Sequence, residues 1–278
     1  MARNVTRRVG GFLAAVAMAA AAFGSTANAA DRNIDYVNLG DSYSAGYGTG
    51  SLTIVGGACS QGTGSDHVSK LAAKKNVNLT LDFACAGADS ATLAGIAATV
   101  AAGALGDAEV VTLTVGGNEL PWAELLGACV YGNDLQCAGA QQVAGSILSS
   151  LDARVLHTLS VIRSSAPDAR IVILGYPQLF DGVYPNPLLS PAEVAGVREL
   201  TTALNAKIAY AASQVPNTAF VDVTPWFDGH GVDSPDRWIY FNKDNPYDPY
   251  NLHPTSEGYL KAYYPATMSA ISFGQLGR

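Results

Sequence analysis

The sequence predicts an α/β domain: three αβα layers around a central five-stranded parallel sheet. Three observations lead there. Short apolar runs alternate with helical stretches through most of the chain. Two runs, Val110-Val111-Thr112-Leu113-Thr114-Val115 and Ile171-Val172-Ile173-Leu174, are apolar on both faces, as strands buried in a parallel sheet are. No internal repeat or long linker divides the 278 residues.

Taken in order, Ile34–Leu39 is the first apolar run and strand, and Gly40 ends it. Residues 49–64 follow Gly48 and contain Gly50, Gly56, Gly57, Gly62 and Gly64, so they read as a loop that flanks the site as a lid or lies on the surface stapled by Cys59. Asp66–Lys75 is a helix and Leu79–Ala84 the second strand; Ala91–Ala102 is a helix and Glu109–Val115 the third strand. One long helix spans Gln141–Ser164, beginning after a Gly-Ala break and stopping before Pro167. Arg170–Leu174 is the fourth strand. Pro191 opens a helix to about Gln214, since proline suits a first helical turn. Ala219–Val223 is the last strand and Thr255–Ser272 a closing helix.

The N-terminus reads as an export signal. Arg3, Arg7 and Arg8 precede the apolar stretch Gly10–Phe23, and Ala27-Asn28-Ala29 has the small-residue pattern of a cleavage site. The expectation is a signal peptide over residues 1–29, one domain over 30–278, and a secreted, extracellular product. Formal charge is −7, and removing the three arginines takes it to about −10. That balance argues against nucleic acid and against electrostatic docking on anionic membranes. No second stretch is long enough to insert in a bilayer. Four cysteines, Cys59, Cys85, Cys129 and Cys137, read as two disulfides in an exported chain. Three pairings are possible; the local one is Cys59–Cys85 with Cys129–Cys137. With no C-x-x-C pair, clustered histidines or calcium loop, no metal is expected.

In a parallel α/β sheet the site lies at the carboxyl ends of the strands. Ser42 follows the first strand in Gly40-Asp41-Ser42-Tyr43-Ser44-Ala45-Gly46, the placement of an exposed nucleophile. The G-x-S-x-G elbow is absent, since residue 44 is serine. Gly87, in Ala84-Cys85-Ala86-Gly87, follows the second strand, and Gly116-Gly117-Asn118 the third. A Gly87 N–H and an Asn118 amide can both donate to an oxyanion. His253, in Asn251-Leu252-His253-Pro254, is the best-placed base; His67 and His157 fall within helices and His230 in a glycine-rich loop. Each residue alone reads as turn or capping chemistry. Four of them at one sheet edge read as a hydrolase site.

These blocks resemble the SGNH hydrolases, or GDSL lipase/esterase family, in order and over nearly the whole mature chain. The cysteine spacings and Leu174-Gly175-Tyr176-Pro177 resemble its secreted actinobacterial lipase and phospholipase branch. The resemblance implies a flavodoxin-like fold, a Ser42 nucleophile, a His253 base, an oxyanion hole from the Ser42 N–H, Gly87 N–H and Asn118 side chain, and no cofactor. Two positions depart from the family pattern. Glu119 stands where many members carry aspartate, and Tyr250 stands three residues before the histidine, where the acid usually lies. The expectation is therefore a Ser42–His253 dyad with the Tyr250 or Asn251 carbonyl on the far imidazole nitrogen. Asp248 as a true third member is the alternative. Most of the aromatics Trp226, Phe227, Trp238, Tyr240, Phe241, Tyr247, Tyr250, Tyr259, Tyr263 and Tyr264 are expected to pack a long loop, and no more than two or three of them to face the substrate. The expected partner of this monomer is a small-molecule or lipid ester. A carbohydrate deacetylase and a non-catalytic binding module are the competing readings.

Overall fold

The computed structural model describes residues 33–186, 188–245 and 248–272. The export signal expected over residues 1–29, and Tyr247, lie outside the described residues. The chain runs β1 (Ile34–Asn38), β2 (Leu52–Val55), β3 (Cys59–Gly62), α1 (His67–Ala72), β4 (Val77–Asp82), α2 (Ser90–Ala98), α3 (Ala102–Asp107), β5 (Val110–Leu113), α4 (Trp122–Tyr131), α5 (Asp134–Leu148), α6 (Leu151–Ser165), β6 (Arg170–Leu174), α7 (Pro191–Ser213), β7 (Thr218–Val221), α8 (Ser256–Gly258) and α9 (Tyr264–Ser269). Five strands form one sheet in the order β4-β1-β5-β6-β7, and every pairing is parallel. All of β5, and all of β6 beyond Arg170, is buried, which is why these runs carry no polar face. On one side α1 packs with the closing helices; on the other α2, α6 and α7 pack side by side, with α5 against α7.

Strand order reverses between β1 and β5. That is the topological switch point of a flavodoxin-like sheet, where the connections leave in opposite directions and open a crevice. Ser42 follows β1 and Asn118 follows β5, so both stand at its lip.

Three elements differ from expectation. Residues 49–64 contain an antiparallel hairpin of β2 and β3 rather than a loop. Cys59 and Gln61 on β3 face inward, and the Gln61 amide donates to the Ala84 carbonyl, docking the hairpin beside the end of β4. The single long helix over 141–164 is two, α5 and α6, parted at Ser149-Ser150; serine hydroxyls compete with the helix backbone and favour its ends. The closing helix widens into a π turn at Tyr259–Tyr263, just before Pro265, whose missing N–H breaks the regular ladder. Helices α3 and α4 were not anticipated; α4 begins behind Pro121. No helix among the described residues is long and apolar enough to cross a membrane.

Candidate active site

The turn after β1 is held by buried polar groups. Gly40 has φ +123, and a Cβ there would meet the Ser44 Oγ at 2.6 Å and the Thr114 nitrogen at 2.7 Å, so only glycine lets the chain turn this close to β5. Ser44 and Thr114 exchange hydrogen bonds: the Ser44 N–H donates to the Thr114 hydroxyl (3.1 Å) and the Thr114 N–H to the Ser44 hydroxyl (2.9 Å). The serine that breaks the G-x-S-x-G pattern is thus the clamp between β1 and β5. Asp41, buried beside it, accepts from the Tyr43 N–H (3.0 Å), the Thr114 hydroxyl (2.6 Å) and the Tyr176 hydroxyl. Burial pushes its carboxyl up, and those donors oppose the shift.

Ser42 stands at the apex. His253 Nε2 lies 2.8 Å from its Oγ, within reach for proton transfer. The His253 ring is flanked by Tyr43 and Tyr47, with centroids at 5.3 and 5.2 Å. Burial lowers its pKa to about 4, against the Asn251 and Tyr250 carbonyls, which raise it. Those carbonyls favour the charged ring, but Nδ1 is buried and no acceptor meets it with full hydrogen-bond geometry. Asp248 is engaged elsewhere: its carboxylate accepts from the Tyr250 N–H (3.0 Å) and the Tyr240 hydroxyl (3.1 Å), and it makes no bond to His253. The Asn251 side chain bridges the Asn242 N–H and the Asn245 carbonyl, and the Tyr250 hydroxyl donates to the Gly50 carbonyl. All three side chains thus shape the histidine loop without touching its ring nitrogens.

Gly87, with φ +82, is exposed and has open space where a Cβ would be. Neither its N–H nor that of Ser42 donates to any group among the described residues. The Asn118 amide donates one hydrogen to the Ala88 carbonyl (2.9 Å), which leaves the second for a substrate oxygen. Glu119 tightens the same junction by accepting the Ser90 N–H at the start of α2 (2.8 Å). The longer side chain that departs from the family pattern therefore ties the Gly87 segment to the Asn118 segment. Cys59–Cys85 and Cys129–Cys137 are both disulfides. The first joins the hairpin to the Gly87 segment, the second α4 to α5.

Ser42, Gly87, Asn118 and His253 open onto one cavity of about 390 Å³. Its aromatic wall corrects an expectation. The described aromatics of the 226–264 stretch do not line it; Tyr43, Tyr47, Trp122 and Tyr176 do, with Leu179 and Leu252. Trp238 instead stacks on His230, and Tyr259 on His67. The 226–264 stretch is dense in aromatics because it packs a long return path over the sheet, which composition alone does not distinguish from a substrate wall. Gly48 and Tyr176 stand in the sequence only as a loop boundary and as part of a four-residue motif; the fold brings both against the site. A Cβ on Gly48 would meet the Pro254 carbonyl at 2.2 Å, so this glycine lets the histidine loop close on the Ser42 turn. Tyr176 accepts the Gly117 N–H (3.0 Å) and donates to Asp41, bracing one wall against the other.

Residues 39–261 match the GDSL-like Lipase/Acylhydrolase family. A lipase of Streptomyces rimosus is 32% identical over 91% of this chain and 93% of its own. Two crystal structures are similar, each with a TM-score of 0.75. One is phospholipase A1 from Streptomyces albidoflavus, 28% identical, covering 85% of this chain and 98% of that one. The other is an extracellular lipase from Streptomyces rimosus, 29% identical, covering 86% and 100%. The five-stranded parallel sheet, the serine at its switch point and this sequence kinship agree: the chain belongs to the GDSL-like lipase/acylhydrolase family of carboxylic ester hydrolases.

Proposed function

We propose that the chain is an exported hydrolase of lipid-like carboxylic esters, acting through an acyl-enzyme on Ser42 with His253 as its base. The observation that carries this is the 2.8 Å contact between His253 Nε2 and Ser42 Oγ at the floor of an aromatic-walled cavity. In this reading the Ser42 oxygen attacks the ester carbonyl while Nε2 takes its proton. Charge then develops on the carbonyl oxygen and is met by the Ser42 and Gly87 N–H groups and the free Asn118 amide hydrogen. The imidazolium returns the proton to the departing alcohol. Water, deprotonated by the same nitrogen, attacks the acyl carbonyl, and the proton passes to the Ser42 oxygen as the acid leaves. Among the described residues no carboxylate bonds Nδ1, so in this reading the pair works as a dyad held by its surroundings, at some cost in imidazolium stabilisation.

The apolar lining supports an acyl chain over a bare acetyl group, and the names of the lipase and phospholipase relatives point the same way. Two disulfides and kinship with an extracellular lipase support a working place outside the cytoplasm, with residues 1–29 removed on export. One catalytic domain from residue 30 onward completes the proposal.

The test is hydrolysis of p-nitrophenyl esters from acetyl to palmitoyl by the mature protein and by Ser42→Ala, with EDTA present. Turnover best on medium or long chains, unaffected by EDTA and lost in Ser42→Ala, is the expected result. An acetyl optimum redirects the reading to a deacetylase. Turnover surviving Ser42→Ala removes Ser42 as nucleophile. No turnover on any chain favours the binding-module reading.

A further inference from the structure

His253 points at Ser42 although no carboxylate orients it and Nδ1 closes no full hydrogen bond. The Asn251 and Tyr250 carbonyls act on the ring without closing a full bond, so its aim depends on how the loop that carries it is held. The residue before it, Leu252, has φ +67. Among the described residues only one other non-glycine residue, Asn217, has positive φ, and asparagine tolerates that region far better than leucine. A left-handed leucine persists only where its surroundings over-determine it. Here its peptide is gripped at both ends. The Leu252 N–H donates to the Tyr240 carbonyl (2.8 Å), and the Leu252 carbonyl accepts from the hydroxyl of Tyr43. Tyr43 is the neighbour of Ser42. Its ring lies 5.3 Å from the His253 ring and rests edge-on against Tyr176 at 5.1 Å. Burial raises its phenol pKa, so it stays a donor.

We propose that Tyr43 is the positioning residue for His253: its hydroxyl latches the carbonyl of left-handed Leu252 and so aims the imidazole at the neighbouring serine. The proposal rests on the Ser42–His253 reading. The latch supplies aim and no charge. It touches the backbone before the histidine rather than a ring nitrogen. Loss of the hydroxyl should therefore lower kcat, leave KM nearly unchanged and leave the acid limb of the pH profile in place. Removing a carboxylate partner would move that limb.

The test uses Tyr43→Phe alone and combined with Leu252→Gly or Leu252→Ala. Both truncations empty the same part of the cavity, but only glycine adopts positive φ freely, so their comparison isolates the backbone term. Tyr43→Phe is expected to lower kcat about tenfold with KM within about twofold, the pattern of a lost transition-state alignment. With Tyr43 present, the glycine and alanine variants should differ by no more than about twofold in kcat; with Tyr43→Phe, glycine should exceed alanine by about fivefold or more. An unchanged kcat in Tyr43→Phe, or the same glycine-to-alanine ratio in both backgrounds, overturns the latch. If Tyr43→Phe alone does not fold, the double variant with Leu252→Gly decides: a folded enzyme near the Leu252→Gly rate supports the latch, and a folded but slower one overturns it. Ser42→Ala and His253→Ala run alongside. Activity surviving in either overturns the catalytic pair itself, an outcome distinct from failure of the latch.

Discussion

A histidine serves as a base only while it is neutral. Burial lowers the His253 pKa to about 4, so in the proposed mechanism the ring can take the serine proton across the whole neutral and mildly acidic range. The acid limb of kcat/KM is accordingly expected near pH 4, with activity falling as pH drops through it; a limb near 6.5 would show that the ring is not enclosed in solution. Asp248→Asn keeps the shape of a group whose oxygens bind the Tyr250 N–H and the Tyr240 hydroxyl rather than His253. Its kcat should stay within about threefold of the parent, where loss of a true triad carboxylate costs about 10⁴. Steady-state kinetics of this one variant separate the two cases. That Ser42, Asn118 and His253 meet at one cavity was legible in the sequence, because the chemistry proposed for them restricts each to few residue types. Tyr43, Tyr176 and Gly48 were not. A tyrosine whose work is to grip a carbonyl 209 residues away looks like any core tyrosine until the chain is folded.

Among the elements, the β2–β3 hairpin and its disulfide hold the second wall of the site. Cys59–Cys85 closes 26 residues and Cys129–Cys137 closes 8. On the chain-entropy model the two contribute about 3.5 and about 2.5 kcal/mol. Their effects on activity should diverge more than their effects on melting. Replacing Cys59 and Cys85 by serine loosens the segment carrying Gly87 and should lower both Tm and kcat. Replacing Cys129 and Cys137 should lower Tm with kcat nearly kept. Melting curves and kinetics on the two double variants check this. The central strands β5 and β6 were legible from their apolar runs, because a strand buried on both faces leaves little freedom of composition; the edge strands β4 and β7 are only partly buried, and their bounds fall one or two residues from those expected. The hairpin was not legible, since the glycines on either side of the short Leu52–Val55 run and the polar Ser60-Gln61-Gly62 of β3 carry the composition of a loop. The α5–α6 break was missed because helical periodicity continues on either side of Ser149-Ser150.

At the scale of the whole molecule, stability responds to buried groups far from the site. His67, on α1, is fully buried and stacked on Tyr259, with neither ring nitrogen bonded. Burial holds its pKa well below the ordinary value, against the attraction of Asp66. The unfolded chain therefore takes this proton first, and stability is lost as pH falls below about 6.5. Asp82, raised to about 6 by burial, pulls the other way, because the folded form then binds its proton more readily. Comparing His67→Phe with the parent cancels the Asp82 contribution. The difference in Tm should move in favour of the variant as pH drops from about 7 to about 5. A difference independent of pH would mean that His67 titrates normally in the fold. Fold class was legible at this scale from alternation alone; the pairing of His67 with Tyr259 joins α1 to the closing helix and has no local signature.

The contact between Ser42 and His253 spans 211 positions, and the last strand of the sheet ends at Val221. A chain growing from its N-terminus can complete every strand before its base exists. Synthesis therefore finishes the scaffold first and arms it last. On the proposed Ser42–His253 reading, a polypeptide cut short after β7 would carry the serine, the Gly87 and Asn118 segments and the crevice but not the base, and is expected to be inactive. For an ester hydrolase, that ordering keeps the product inactive until its last elements have been made.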